Sequence, residues 1–155
     1  MMQMGYILLY RSLLSWEHWM NKITAHVYLH LLLQAEFKYD YKKGTEAGDV
    51  DITIPQIADD INADEQQVRR ALKRLQQSGN IIKVEIKANI NRYKIVNYTE
   101  RQYEQGVNWI IFPRSLCTLP IYKNTNTFLI FVNLLLSADN IKGTVTTNYN
   151  RLSRK

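Results

Sequence analysis

A single cysteine, Cys117, leaves this chain without the material for an internal disulfide and fits a reducing compartment. Long apolar runs are also missing. The longest, FLIFVNLLLSA at 128–138, is too short to span a bilayer, so no membrane role is expected. The opening MMQMGYILLYRSLL has neither a basic leader nor a small-residue cleavage site, and no signal peptide is read there. No Walker lysine motif, glycine-rich dinucleotide loop or Gly-x-Ser-x-Gly elbow occurs. Gly44 and Gly48 bracket TEA, a loop and not a phosphate cradle. These gaps point away from an enzyme and from any cofactor, and towards a cytoplasmic binding protein.

The most telling scarcity is local, because acids almost vanish from residues 65–94. Eight Lys or Arg stand there against two acids, a surplus of six that equals that of the whole chain. Residues 1–64 carry −4 and residues 95–155 carry +4. With a pI near 9.4 the chain suits a polyanionic partner. A membrane surface fits less well, since the basic segment has no exposed aromatic face.

What is present in that stretch is ordered. Asp64 is a good N-cap, and Gln67 three residues later completes a capping box. At 100° per residue, Val68, Ala71, Leu72 and Leu75 share one helix face. Gln66, Arg70, Lys73 and Gln77 occupy the opposite pole, flanked by Arg69 and Arg74. Ser78-Gly79-Asn80 ends the helix, and IIKVEI, a turn-prone KANINR and YKIVN then read as a β-hairpin.

Upstream, Thr53 caps a short helix, IPQIADDI, with Gln56 at the capping-box position and Pro55 in its first turn. A short helix, a three-residue turn, a longer basic helix and a hairpin make a winged helix-turn-helix. Gln66, Gln67, Arg69, Arg70, Lys73 and Arg74 are then expected in or beside a major groove. Lys87, Asn89, Asn91 and Arg92 on the wing are expected at phosphates or the minor groove. The competing interpretation of such a charge run is an ordinary solvated helix face.

Residues 6–20 read as a short strand or helical turn on the core, and 22–36 as a helix that is apolar nearly all round. Its polar stripe is His26, His30 and Gln34. Two imidazoles at i, i+4 can share a metal, but no Glu lies between them in an HExxH arrangement and no third ligand is evident. A polar stripe on a buried helix is the expectation, and no metal site is expected there. Cys117 is expected to be a small core residue, Asp59-Asp60 to be solvated, and Trp16 and Trp19 to be core.

The chain also repeats itself. RSL at 11–13 recurs at 114–116, and at the same offset of 103 Asn21 falls on Asn124, Thr24 on Thr127, Leu31-Leu32-Leu33 on Leu134-Leu135-Leu136 and Ala35 on Ala138. Dropping eight loop residues changes the offset to 95. Gly48 then meets Gly143, Val50 meets Val145, Thr53 meets Asn148 and Ile57 meets Leu152. The expected fold is mainly α with small β, with a winged-helix domain over 1–100, a linker over 101–106 and an incomplete second winged-helix repeat over 107–155. Either the sequence is a piece of a longer tandem protein, the interpretation adopted, or the second copy is a half-domain used for packing. The helix at 127–138 is expected to pack on the first domain or on a partner chain.

Residues 5–100 resemble the N-terminal winged-helix domain of phage replisome-organiser and DnaD-like replication proteins. GYILLYRSLLSWEHW, AHVYLHLLLQA and ITIPQIADDINADEQQVRRALKRLQQSGNI carry the likeness. The resemblance implies double-stranded DNA or another replication protein as partner, in replication initiation of a bacterial phage, plasmid or mobile element. It also implies a homodimer or higher oligomer, because in DnaD-like proteins this domain serves self-association. Two alternatives stay open: an assembly module that self-associates or recruits a helicase loader, and a transcriptional regulator. The tandem arrangement departs from the family, where a distinct helical domain follows, and looks more like tandem winged-helix plasmid initiators.

Overall fold

A computed structural model of the chain describes residues 5–87, 90–103 and 108–138. Its described residues mix helix and strand at about 52 % and 22 %, a mixed α/β composition with more strand than the small β component expected. Strand β1 (Tyr6–Tyr10) leads through a 3₁₀ turn at Arg11–Ser15 into helix α1 (Lys22–Gln34). Strand β2 (Asp49–Ile52), helix α2 (Ile54–Ile61) and helix α3 (Glu65–Gln77) follow. The hairpin β3 (Ile81–Lys87) and β4 (Ile90–Ile95) precedes a short helix α4 (Tyr98–Tyr103). Strand β5 (Trp109–Pro113), 3₁₀ turns at Arg114–Thr118 and Pro120–Lys123, and helix α5 (Thr125–Ser137) complete the described chain. The expected linker at 101–106 therefore overlaps α4.

The local signals explain these elements. Asn21 Oδ1 accepts from the Thr24 amide and Thr53 Oγ1 from the Gln56 amide, each satisfying a first-turn donor the helix cannot. Between α2 and α3, Asn62 adopts a left-handed conformation at φ 58°, which lets the chain reverse within three residues. Gly79 at φ +77° closes α3.

Among the described residues the strands form two antiparallel sheets, β1 with β5 and β2–β4–β3. The repeat is structural. Strand, 3₁₀ turn and helix recur with their bounds displaced by 103 residues throughout. In the β1–β5 ladder Leu8 pairs with Ile111, while Tyr6 meets Pro113 and Tyr10 meets Trp109. Residue 8 thus faces its own counterpart, so the two copies are related by a local two-fold axis through that pair.

The cross-over is reciprocal at the helix ends. Arg114 follows β5 and donates through Nη1 to the carbonyls of Leu33 (2.7 Å) and Ala35 (3.0 Å), the last turn of α1. Its counterpart Arg11 donates to the carbonyl of Leu136 in the last turn of α5. Each guanidinium caps the other copy's helix, where the orphan carbonyls and the negative end of the helix dipole favour a cation. Arg114 is 1 % exposed and also donates to Tyr98 Oη at 3.1 Å. One apolar core then takes in both copies, from Ile7 and Leu9 through α1 to Phe112, Phe128 and Val132.

Helix α5 packs on the first copy, through Phe128, Leu129, Val132 and Leu136. His26 stacks on Phe128 with ring centroids 4.9 Å apart, and its Nδ1 shares a hydrogen bond with Thr125 Oγ1 at 2.8 Å.

Candidate nucleic-acid interface

Helix α3 is held from below and open above. Val68, Ala71, Leu72 and Leu75 are all buried, and α1 is the helix they pack against most. The capping box is closed both ways: the Gln67 amide donates to Asp64 Oδ1 at 2.8 Å, and the Asp64 amide to Gln67 Oε1 at 3.1 Å. Gln66, Arg69, Arg70, Lys73 and Gln77 are exposed. Arg70 and Lys73 have no ion-pair partner among the described residues. Arg69 stands 3.7 Å from Glu65, both half-exposed, a contact worth only a few tenths of a kcal/mol.

Three expected contacts are placed otherwise. Gln67 spends its side-chain oxygen on the cap. Arg74 leans back so that Nη1 lies 3.4 Å from Thr24 Oγ1 on α1. Arg92 is a correction. Its guanidinium meets both oxygens of Asp51 at 2.7 and 3.0 Å and donates to the Gly44 carbonyl at 2.9 Å, with 15 % of the side chain exposed. It is bound to the adjoining strand and loop, and is not free for phosphate.

The reason lies in strand periodicity. The segment KANINR reads as a turn, but β4 starts at Ile90, so Asn91 and Arg92 lie within the strand. Successive strand residues face opposite ways. Arg92 and Lys94 stand on the face that carries Asp51 and Asp49 of β2, and Lys94 Nζ lies 3.1 Å from Asp49 Oδ1. Asn91 and Tyr93 take the other face, where Tyr93 feels the charge of Arg69 on α3. Lys83 pairs with Tyr93 and is exposed, so it joins α3's side of the hairpin, although it was not among the expected contacts. Lys87 ends β3; Asn89 lies outside the described residues.

A polar cleft of about 650 Å³ opens on another side, between α1, β2 and α2. Its buried wall is a relay that sequence reasoning missed. His30 Nε2 meets Asp60 Oδ2 at 2.9 Å, and Nδ1 meets Tyr122 Oη at 2.5 Å. Nε2 donates to the Asp60 carboxylate, and Nδ1 shares a hydrogen bond with the Tyr122 phenol. Asp60 is thus not merely solvated. Burial alone would raise its pKa, but the His30 hydrogen bond and charge, Gln56 and Lys123 together hold it below the usual carboxylate value. Tyr122 is pushed well above its ordinary value, chiefly by burial, and stays a phenol.

Cys117 borders the same cleft, with its thiol pushed up by burial and then by Asp60. Neither shift prepares a nucleophile. His26 turns to Thr125 and His30 to Asp60, so the two imidazoles do not converge. Among the described residues no three His, Cys, Asp or Glu side chains gather to hold a metal, and no helix is long and apolar enough to cross a membrane.

Comparison with known proteins gave no match among family models, curated proteins or solved structures.

Proposed function

We propose that α2, α3 and the β3–β4 hairpin form a winged helix that binds double-stranded DNA by sequence or by shape. The observation that carries this reading is the exposed pole of α3. Among the described residues, Gln66, Arg70 and Lys73 meet no carboxylate partner, and they stand opposite a fully buried apolar stripe. Arg and Gln are suited to base edges in a major groove, and the cations nearby to phosphates. The likeness read in residues 5–100 to replisome-organiser and DnaD-like domains favours a role in replication initiation of a phage, plasmid or mobile element, in a bacterial cytoplasm.

Fluorescence anisotropy with duplex DNA tests it. Binding at low salt should weaken as salt rises, since displaced counterions drive it. Arg70→Ala should cost about 1–3 kcal/mol and relax sequence preference, whereas Lys83→Ala should weaken all sequences alike. Absence of binding by the wild-type protein at low salt would end the proposal.

A second reading, an assembly module, has its own observation. Ile82 (54 % exposed), Val84 and Ile86 form an apolar row along β3, the edge strand of its sheet. Such an edge is open to a further strand or to a protein surface. Light scattering in which Val84→Lys dissolves an oligomer while DNA affinity stays unchanged would favour this reading.

A further inference from the structure

The two copies are unequally covered. On α1 every residue from Thr24 to Leu33 is buried; on α5 only Phe128, Leu129, Val132 and Leu136 are. The period of 103 gives the uncovered positions between Ile130 and Leu135 buried counterparts between Val27 and Leu32. Ile130 is 63 % exposed where Val27 is 0 %. Half-buried Asn133 and Leu134 correspond to His30 and Leu31, which are fully covered.

In the first copy the cover is known. Helix α2 sits in the angle between α1 and the Pro120–Lys123 turn, fixed by Asp60 on His30 and by Lys123 Nζ donating to the Asp59 carbonyl at 2.7 Å. The local two-fold axis predicts an equivalent angle between α5 and Trp19–Met20, the counterparts of Tyr122 and Lys123. A groove of about 290 Å³ lies there, bordered by Trp19, Met20, Leu129, Ile130, Asn133 and Leu134. Met20 is 85 % exposed at its rim. The seat of an α2-like element is present, and none of the described residues fills it.

The sequence that matches α2 in this chain is its last segment. At the offset of 95, Asn148 corresponds to the cap Thr53, and Leu152 to Ile57, which is 0 % exposed. We infer that residues 143–155 dock in this groove, with Leu152 taking against α5 the place that Ile57 takes against α1. The segment can reach. The ten residues from Ala138 to Asn148 extend to about 33 Å, against about 20 Å for the whole of α5. The inference stands on the repeat and not on DNA binding.

The full chain carrying Cys117→Ser, Ile130→Cys and Leu152→Cys tests it under mild oxidation at low concentration. An intrachain disulfide, identified by peptide mass, is the expected product. In a separate variant, Leu152→Asp, amide exchange over Ile130–Ser137 should quicken by about tenfold while α1 and α3 keep their rates. Because those two helices report folding within the same sample, loss of the fold is not mistaken for loss of docking. Only interchain disulfides, pointing to a second copy as occupant, would overturn the inference. So would unchanged exchange with no disulfide.

Discussion

Leu8 and Ile111 face each other across the β1–β5 ladder although 103 residues separate them, and each is the other's equivalent in the repeat. The ladder therefore joins two copies of one unit. Arg11 and Arg114 act across it, each closing the last turn of the opposite copy's helix.

Arg114 carries the heavier share of that closure. Replacing it with leucine removes the donor to the buried carbonyls of Leu32, Leu33 and Ala35 and to Tyr98 Oη, which should cost about 3 kcal/mol or more. Arg114→Lys should recover only part, since an ammonium cannot fork to carbonyls and a phenol together. Arg11 is less buried, and Arg11→Ala should cost about 1 kcal/mol. Urea unfolding with an unchanged m-value measures all three.

Arg92 separates stability from recognition. Arg92→Ala should lower stability by about 1–2 kcal/mol through loss of its contacts to Asp51 and the Gly44 carbonyl, while duplex affinity stays within about twofold. If affinity instead falls as far as in Arg70→Ala, the side chain belongs at the DNA after all.

His26 predicts a pH dependence. Burial and then the neighbouring His30 charge lower its pKa from 6.5 to about 3. The unfolded chain therefore binds a proton between pH 6.5 and about 3 that the folded chain refuses. Stability rises with pH in that window and is lost as pH falls through it. His26→Phe, which keeps the ring against Phe128 and Tyr122, should flatten the slope of melting temperature between pH 6.5 and 4.5. Asp60 does not confuse the result, because its lowered pKa places its own loss at the acid end. An equal slope in both proteins would assign the dependence elsewhere.

Gly48 tolerates no side chain. It sits at φ +90°, and a Cβ there would lie 2.7 Å from Tyr98 Cβ. Gly48→Ala combines backbone strain with a shift of the tyrosine that receives Arg114, and should cost about 2–4 kcal/mol in thermal or urea unfolding.

Local signals were legible in the sequence, and long-range ones were not. The Asp64–Gln67 capping box, the Thr53 cap and the stripe Val68–Ala71–Leu72–Leu75 are short-range patterns that the chain obeys, whereas the Gln56 side chain leaves the expected box and donates to Asp60. The repeat was legible as an offset, but not that β1 and β5 would pair through it. Nothing near Arg114 announces that its partners lie 79–82 residues away. The same holds for Tyr122 and His30, 92 apart. Arg92 failed for another reason. Lys87, Ile90, Asn91 and Arg92, read as part of a turn, belong to strands, and alternation along β4 sets Arg92 on the face opposite Asn91.

The exchanged caps predict that covalent continuity between the halves is dispensable. A cut within 104–107, made by an inserted protease site, would leave a ladder, two guanidinium clasps and a shared core holding the pieces. Split into two polypeptides at that place and co-expressed, the halves should reassemble, while either alone would present a bare strand edge and a helix with its carbonyls unmet.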